Sequence, residues 1–87
     1  MIEKTFIVKN KLGLHARPAG LFVQTVNKYK SQVRVFKNDQ EVDGKSIMGL
    51  ITLAAEYGSV LKIIVDGEDE KELLEELTKL FENNFNE

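Results

Sequence analysis

The segment VLKIIVD, residues 60–66, puts the tightest constraint on the fold. Leu61, Ile63 and Val65 alternate with Val60, Lys62, Ile64 and Asp66. That two-residue period belongs to a strand with one face in a core. Such a strand needs neighbours for its backbone groups and a second layer over its apolar face. Other segments supply both. Residues 2–8, IEKTFIV, read as a strand in which Phe6 and Val8 alternate imperfectly with Thr5 and Ile7. Residues 32–37, QVRVFK, alternate well; NDQ signals a turn, and EVD reads as a short returning strand.

Elsewhere the period changes to 3.6. Ala19, Phe22, Val23 and Val26 make one stripe of a helix running from near Ala16 to about Lys28, with Arg17, Gly20, Leu21, Gln24 and Lys28 opposite. IMGLITLA after Ser46 reads as a short helix capped by that serine, and EYGS breaks it. GED opens a last helix, with Leu73, Leu77, Leu80 and Phe81 as its stripe, Leu74 at the margin and Phe85 beyond. The order β-α-β-β-α-β-α predicts one α+β domain over residues 1–87, with the sheet burying one face under the helices. A pairing of the first and last strands fits this order but does not follow from it.

Charge is uneven along the 87 residues, although the net charge is only −2. Up to residue 37, Lys4, Lys9, Lys11, Arg17, Lys28, Lys30, Arg34 and Lys37 stand against the single acid Glu3. From residue 66 onward acids dominate. A mildly acidic chain is a poor nucleic-acid binder, while its basic half could steer an acidic partner. There is no cysteine, so disulfide and thiol chemistry are excluded. No apolar run approaches the roughly 20 residues of a membrane span, and MIEKTFIVKN lacks a signal-peptide core. These features predict a cytoplasmic protein.

GLHARPAG, residues 13–20, holds the only histidine and the only proline of the chain. The first N–H groups of a helix lack internal partners, and the macrodipole adds partial positive charge, so a helix start can hold an anion. Arg17 adds a fork of donors suited to phosphate oxygens. Pro18 tolerates the first turn, where its missing N–H costs nothing. An imidazole can act as a nucleophile and form covalent intermediates. Spacing alone leaves two readings open, a phosphoryl-accepting His15 or a surface histidine that only starts a helix. With one histidine and no cysteine, a zinc site is not expected.

GKSIMGL, residues 44–50, carries the second question. Leu50, Leu53 and Ala54 share one side of the short helix; Ile47, Met48 and Ile51 share another. A helix this short cannot bury both sides in a small two-layer domain. An exposed apolar face would mark a partner site, and methionine repacks readily there. With Leu21 on the outer side of the first helix, adjoining faces would put His15 at the rim of one docking patch. Ser46 reads as a cap, and a phosphate there would meet a helix N-terminus at the patch edge.

GLHARPA at 13–19 and KSIMG at 45–49, with the length and element order, make the whole chain resemble the HPr family, the histidine-containing phosphocarriers of the bacterial sugar phosphotransferase system. KSIMG is similar to the Gram-positive form. The resemblance implies an open-faced β-sandwich. It implies that His15 accepts a phosphoryl group on Nδ1 from phosphorylated enzyme I, which draws on phosphoenolpyruvate, and passes it to IIA domains of sugar permeases, with Arg17 stabilising the group. It implies that Ser46 is the target of the HPr kinase/phosphorylase, and that the phosphoserine form transfers poorly and binds a catabolite-control transcription factor. The implied docking surface comprises Ala16, Gly20, Gln24, Ile47, Met48 and Ile51, to which the helical position of Leu21 adds that residue. A monomeric carrier without cofactor, metal, catalytic activity of its own or membrane insertion is expected. Gly20 departs from the alanine or threonine common in the family, and Gln24 and Asn27 are neutral where some relatives carry lysines. A regulatory paralogue lacks the histidine. The alternative reading is a protein that acts mainly through phosphorylated Ser46.

Overall fold

A computed structural model describes residues 1–86. Four strands, β1 (Ile2–Ile7), β2 (Gln32–Lys37), β3 (Gln40–Asp43) and β4 (Val60–Asp66), form one antiparallel sheet in the order β1-β4-β2-β3. The most apolar strand is thus paired on both sides. Ile63 stands opposite Lys4 on one side and Val35 on the other. Helices α1 (Ala16–Asn27), α2 (Ile47–Thr52) and α3 (Glu70–Glu82) complete the expected order, and a left-handed turn at Asn84–Asn86 follows. This is the open-faced β-sandwich.

The inward side chains of the sheet, Phe6, Val33, Val35, Leu61, Ile63 and Val65, are buried in one cluster with the stripes of α1 and α3. Fully burying such a side chain stabilises by roughly 1.5–3 kcal/mol, more than a typical helix cap at about 1 kcal/mol. The stripes therefore decide where the helices lie. Phe81 of α3 joins three elements: it stacks on Phe6 at 4.4 Å and meets Phe22 and Phe85 edge to face. On the open face, Lys62 lies over the Phe36 ring at 4.8 Å, so a cation covers part of an aromatic that faces water.

Two polar clamps tie α3 to the corner after α1. Asp69 accepts from the Ser31 hydroxyl and from the N–H groups of Lys30 and Ser31. The Ser31 hydroxyl, then the Lys30 N–H, holds its carboxyl below the usual carboxylate range. Tyr29 donates its hydroxyl proton to Glu76 at 2.7 Å, and that bond pushes the phenol up to about 12.

Three readings need correction. The short helix ends at Thr52 rather than Ala54, which has a φ of 51° and is exposed; Ala55 takes the buried place. Leu21 is half-buried against the core rather than wholly on the outer side, and Leu80 is half-buried rather than a full member of its stripe. Each lies at the flank of an apolar arc, where periodicity assigns the side but not the depth. Among the described residues, no helix is long and apolar enough to cross a membrane.

Candidate functional site

His15 is the N-cap of α1, with extended backbone at φ −80° and ψ −168°. Its carbonyl accepts from the Ala19 N–H at 3.0 Å and closes the first turn. Its imidazole makes no capping hydrogen bond to the helix and is half-buried. Pro18 has no N–H, and that of Ala19 is already used. Ala16 and Arg17 open the first turn of α1 directly after the ring-bearing residue, and a helix start favours an anion.

The loop before it fixes this position. Asn10 is buried; its Nδ2 donates to the Gly13 carbonyl at 2.8 Å, and the Gly13 N–H donates to the Asn10 carbonyl at 3.0 Å. Leu14 donates its N–H to the Ala55 carbonyl at 2.8 Å and buries its side chain. Gly13 has a φ of +74°, and a Cβ there would lie 2.4 Å from the Ala55 oxygen. Only glycine meets both conditions. His15 is thus held between a pinned loop and a helix packed on the sheet.

Arg17 is exposed, and its Nη1 donates to the Phe85 carbonyl at 3.0 Å. Phe85 is fully buried with a φ of 54°. The turn at the end of the described chain therefore engages the guanidinium across 68 residues of sequence. No local pattern could have revealed that contact.

Ser46 is the N-cap of α2, and its Oγ accepts from the Gly49 N–H at 2.9 Å. A Cβ on Gly49 would lie 3.1 Å from Ser46 Oγ and from Val42 Cβ, so glycine keeps this corner tight. At the other end, Lys37 Nζ donates to the carbonyls of Leu53 at 3.2 Å and Ala54 at 3.1 Å. A six-residue helix, too short to persist by itself, is thereby tied at both termini.

Helix α2 buries Leu50 and leaves Ile47, Met48 and Ile51 exposed, with Met48 the most so at 71%. A groove of about 510 Å³ runs between α1 and α2, lined by Ala16, Arg17, Gly20, Leu21, Gln24 and Ile47 among others. The structure thus brings five of the seven expected docking residues into one groove, with Met48 and Ile51 on the adjoining helix. A Cβ at Gly20 would meet nothing within 4 Å. A second groove of about 650 Å³ also reaches Arg17, lined by Lys9, Lys11, Leu12, Arg17, Asn84 and Asn86 among others. Sequence reasoning registered the basic first half of the chain but did not localise it to this loop.

The PTS HPr component phosphorylation site family matches residues 2–83. The chain is 48% identical over its full length to the phosphocarrier protein HPr of Xylella fastidiosa, covering 98% of that protein. It is 46% identical over 82 residues to the HPr-like protein Crh of Halalkalibacterium halodurans, a match that spans 94% of this chain and 98% of that one. The crystal structure of an HPr from Thermoanaerobacter tengcongensis superimposes with a TM-score of 0.96 at 48% identity, covering all of this chain and 98% of the other.

Proposed function

We propose a function from one premise: this chain belongs to the HPr family, the phosphocarriers of the phosphotransferase system. On that premise His15 is the phosphoryl acceptor. Its Nδ1 lone pair attacks the phosphorus of phosphorylated enzyme I, the N–P bond forms, and the donor group leaves with the electron pair of the bond that breaks. The reverse exchange hands the group to a IIA domain of a sugar permease. The observation that carries this reading is the placement of His15 as N-cap of α1 with a ring that does not cap the helix. A phosphoryl group on that ring would meet the N–H groups at the helix mouth, and Arg17 could turn its fork toward it. Positioning and charge compensation suffice for the transfer.

The α1–α2 groove and the exposed side chains of Ile47, Met48 and Ile51 serve as the docking surface for both partners. Phosphorylation of Ser46 by an ATP-dependent kinase would place charge at the edge of that surface and oppose an acidic partner. The similarity to the HPr-like protein Crh favours a second reading, in which binding to a regulator through phosphorylated Ser46 is the main task.

Incubation with phosphoenolpyruvate and enzyme I, followed by intact mass and phosphorus NMR, tests the first reading. One acid-labile, alkali-stable phosphate that is absent in His15→Ala is expected. Absence of label at His15, with ATP-dependent labelling at Ser46, would replace the carrier reading with the regulatory one.

A further inference from the structure

The basic groove that the loop before α1 shares with Arg17 enters the reading above only through Arg17. Lys9 and Lys11 line it together with Leu12, which is 77% exposed, and Arg17. Among the described residues neither lysine has an ion-pair partner. The tip that carries Lys11 and Leu12 is pre-organised, because Asn10 and Gly13 close it with two hydrogen bonds. Arg17 lines this groove and the α1–α2 groove alike, so the two surfaces meet at the residue next but one to the acceptor.

Geometry then links the loop to the reaction. A partner that reaches His15 covers about 800 Å² of this protein. A round patch of that area has a radius of roughly 16 Å. Lys11 and Leu12 are four and three residues from His15 and lie no more than about 14–15 Å from it along an extended chain. That distance is short enough for a footprint of this radius to include them where it extends over the loop. Beyond Arg17, the α1 side of that footprint is poor in charge. Gln24 and Asn27 are neutral, and Lys28 is 3.7 Å from Glu76. Lys9 and Lys11 on the loop side therefore add to the attraction that Arg17 and the exposed Lys45 offer a partner.

Resting on the phosphoryl-acceptor reading, we propose that Lys9, Lys11 and Leu12 form a basic arm of the docking surface that receives the acidic rim of the enzyme that phosphorylates His15. The α1–α2 side provides apolar contact. The loop side provides the attraction that speeds encounter, with Leu12 as a small apolar anchor between cations.

The test is the steady-state phosphorylation of the full chain by enzyme I and phosphoenolpyruvate over a range of salt concentrations. The variants are Lys9→Gln with Lys11→Gln, Leu12→Ser, and Lys62→Gln on the open sheet face as control. The double variant is expected to raise KM about tenfold at low salt, leave kcat within about twofold, and flatten the salt dependence of kcat/KM. Leu12→Ser is expected to raise KM at every salt concentration. A KM for the double variant no higher than for Lys62→Gln overturns the proposal. So does pyrophosphate binding at Lys9 and Lys11, seen by amide shifts, with KM unchanged, since the groove would then serve a small anion. Failure to label the wild-type protein removes the acceptor premise and the arm together, whereas labelling with an unchanged KM removes the arm alone.

Discussion

Helices α1 and α2 both begin at a polar side chain, and they use it in opposite ways. At α2, Ser46 Oγ accepts from the Gly49 N–H, so the hydroxyl satisfies its own helix. At α1, the His15 ring does not cap. The helix is held by packing instead. Ala19, Phe22, Val23 and Val26 are all buried. Stability at α2 comes partly from the cap because only Leu50 of its six residues is buried. The contrast sets a helix start whose side chain caps it beside one whose side chain does not. Where the core holds the helix, the cap position can carry a reactive group.

Substitutions at the two caps should therefore separate activity from stability. His15→Ala is expected to abolish phosphoryl uptake, a loss of at least a thousandfold, while unfolding free energy moves by no more than about 0.5 kcal/mol. Mass spectrometry and urea denaturation measure the two effects. A destabilisation as large as that of a lost cap would mean that His15 also supports its helix.

Ser46 should give the reverse pattern. Ser46→Ala is expected to cost about 1 kcal/mol, the usual value of a lost cap, with phosphoryl uptake nearly unchanged. Ser46→Asp keeps a capping side chain, so denaturation should show little change while uptake from enzyme I slows about tenfold or more through added charge. An unchanged rate in Ser46→Asp would reduce Ser46 to a cap.

Met48→Asp places a charge on the exposed face of α2, where the side chain is 71% exposed. Titration with enzyme I is expected to show docking weakened by about 1–2 kcal/mol, as for a contributing interface residue. Stability should hold, since a carboxylate in the first turn of a helix is favourable. Loss of folding would place Met48 in the core.

The smallest expected change is at Gly20. Alanine there would meet nothing within 4 Å and should stabilise α1 by about 0.5–1 kcal/mol. Thermal unfolding measures the gain. If docking weakens at the same time, the missing Cβ serves the approach of a partner; if docking is unchanged, Gly20 is merely tolerated.

Much of this molecule was legible from local pattern. The alternation of VLKIIVD identified β4 and its buried face, because a pleated strand sends successive side chains to opposite sides. The 3.6-residue stripe identified α1, and Ser46 identified the start of α2, because a cap acts over three residues. The GLHARPA and KSIMG segments pointed to the family because the relevant residues are contiguous.

Tertiary structure decided what depends on distant chain segments. The central place of β4 between β1 and β2 follows from pairings across the whole chain. Arg17 meets Phe85 only because the end of α3 packs beside the start of α1. Lys37 of the sheet reaches the carbonyls of Leu53 and Ala54 just past α2. Lys9, Lys11 and Leu12 share a groove with Arg17 and with Asn84 and Asn86, which lie far from them in sequence. Periodicity and capping act over a few residues and so appear in the sequence. A groove is made of surfaces that meet only once the core has brought them together.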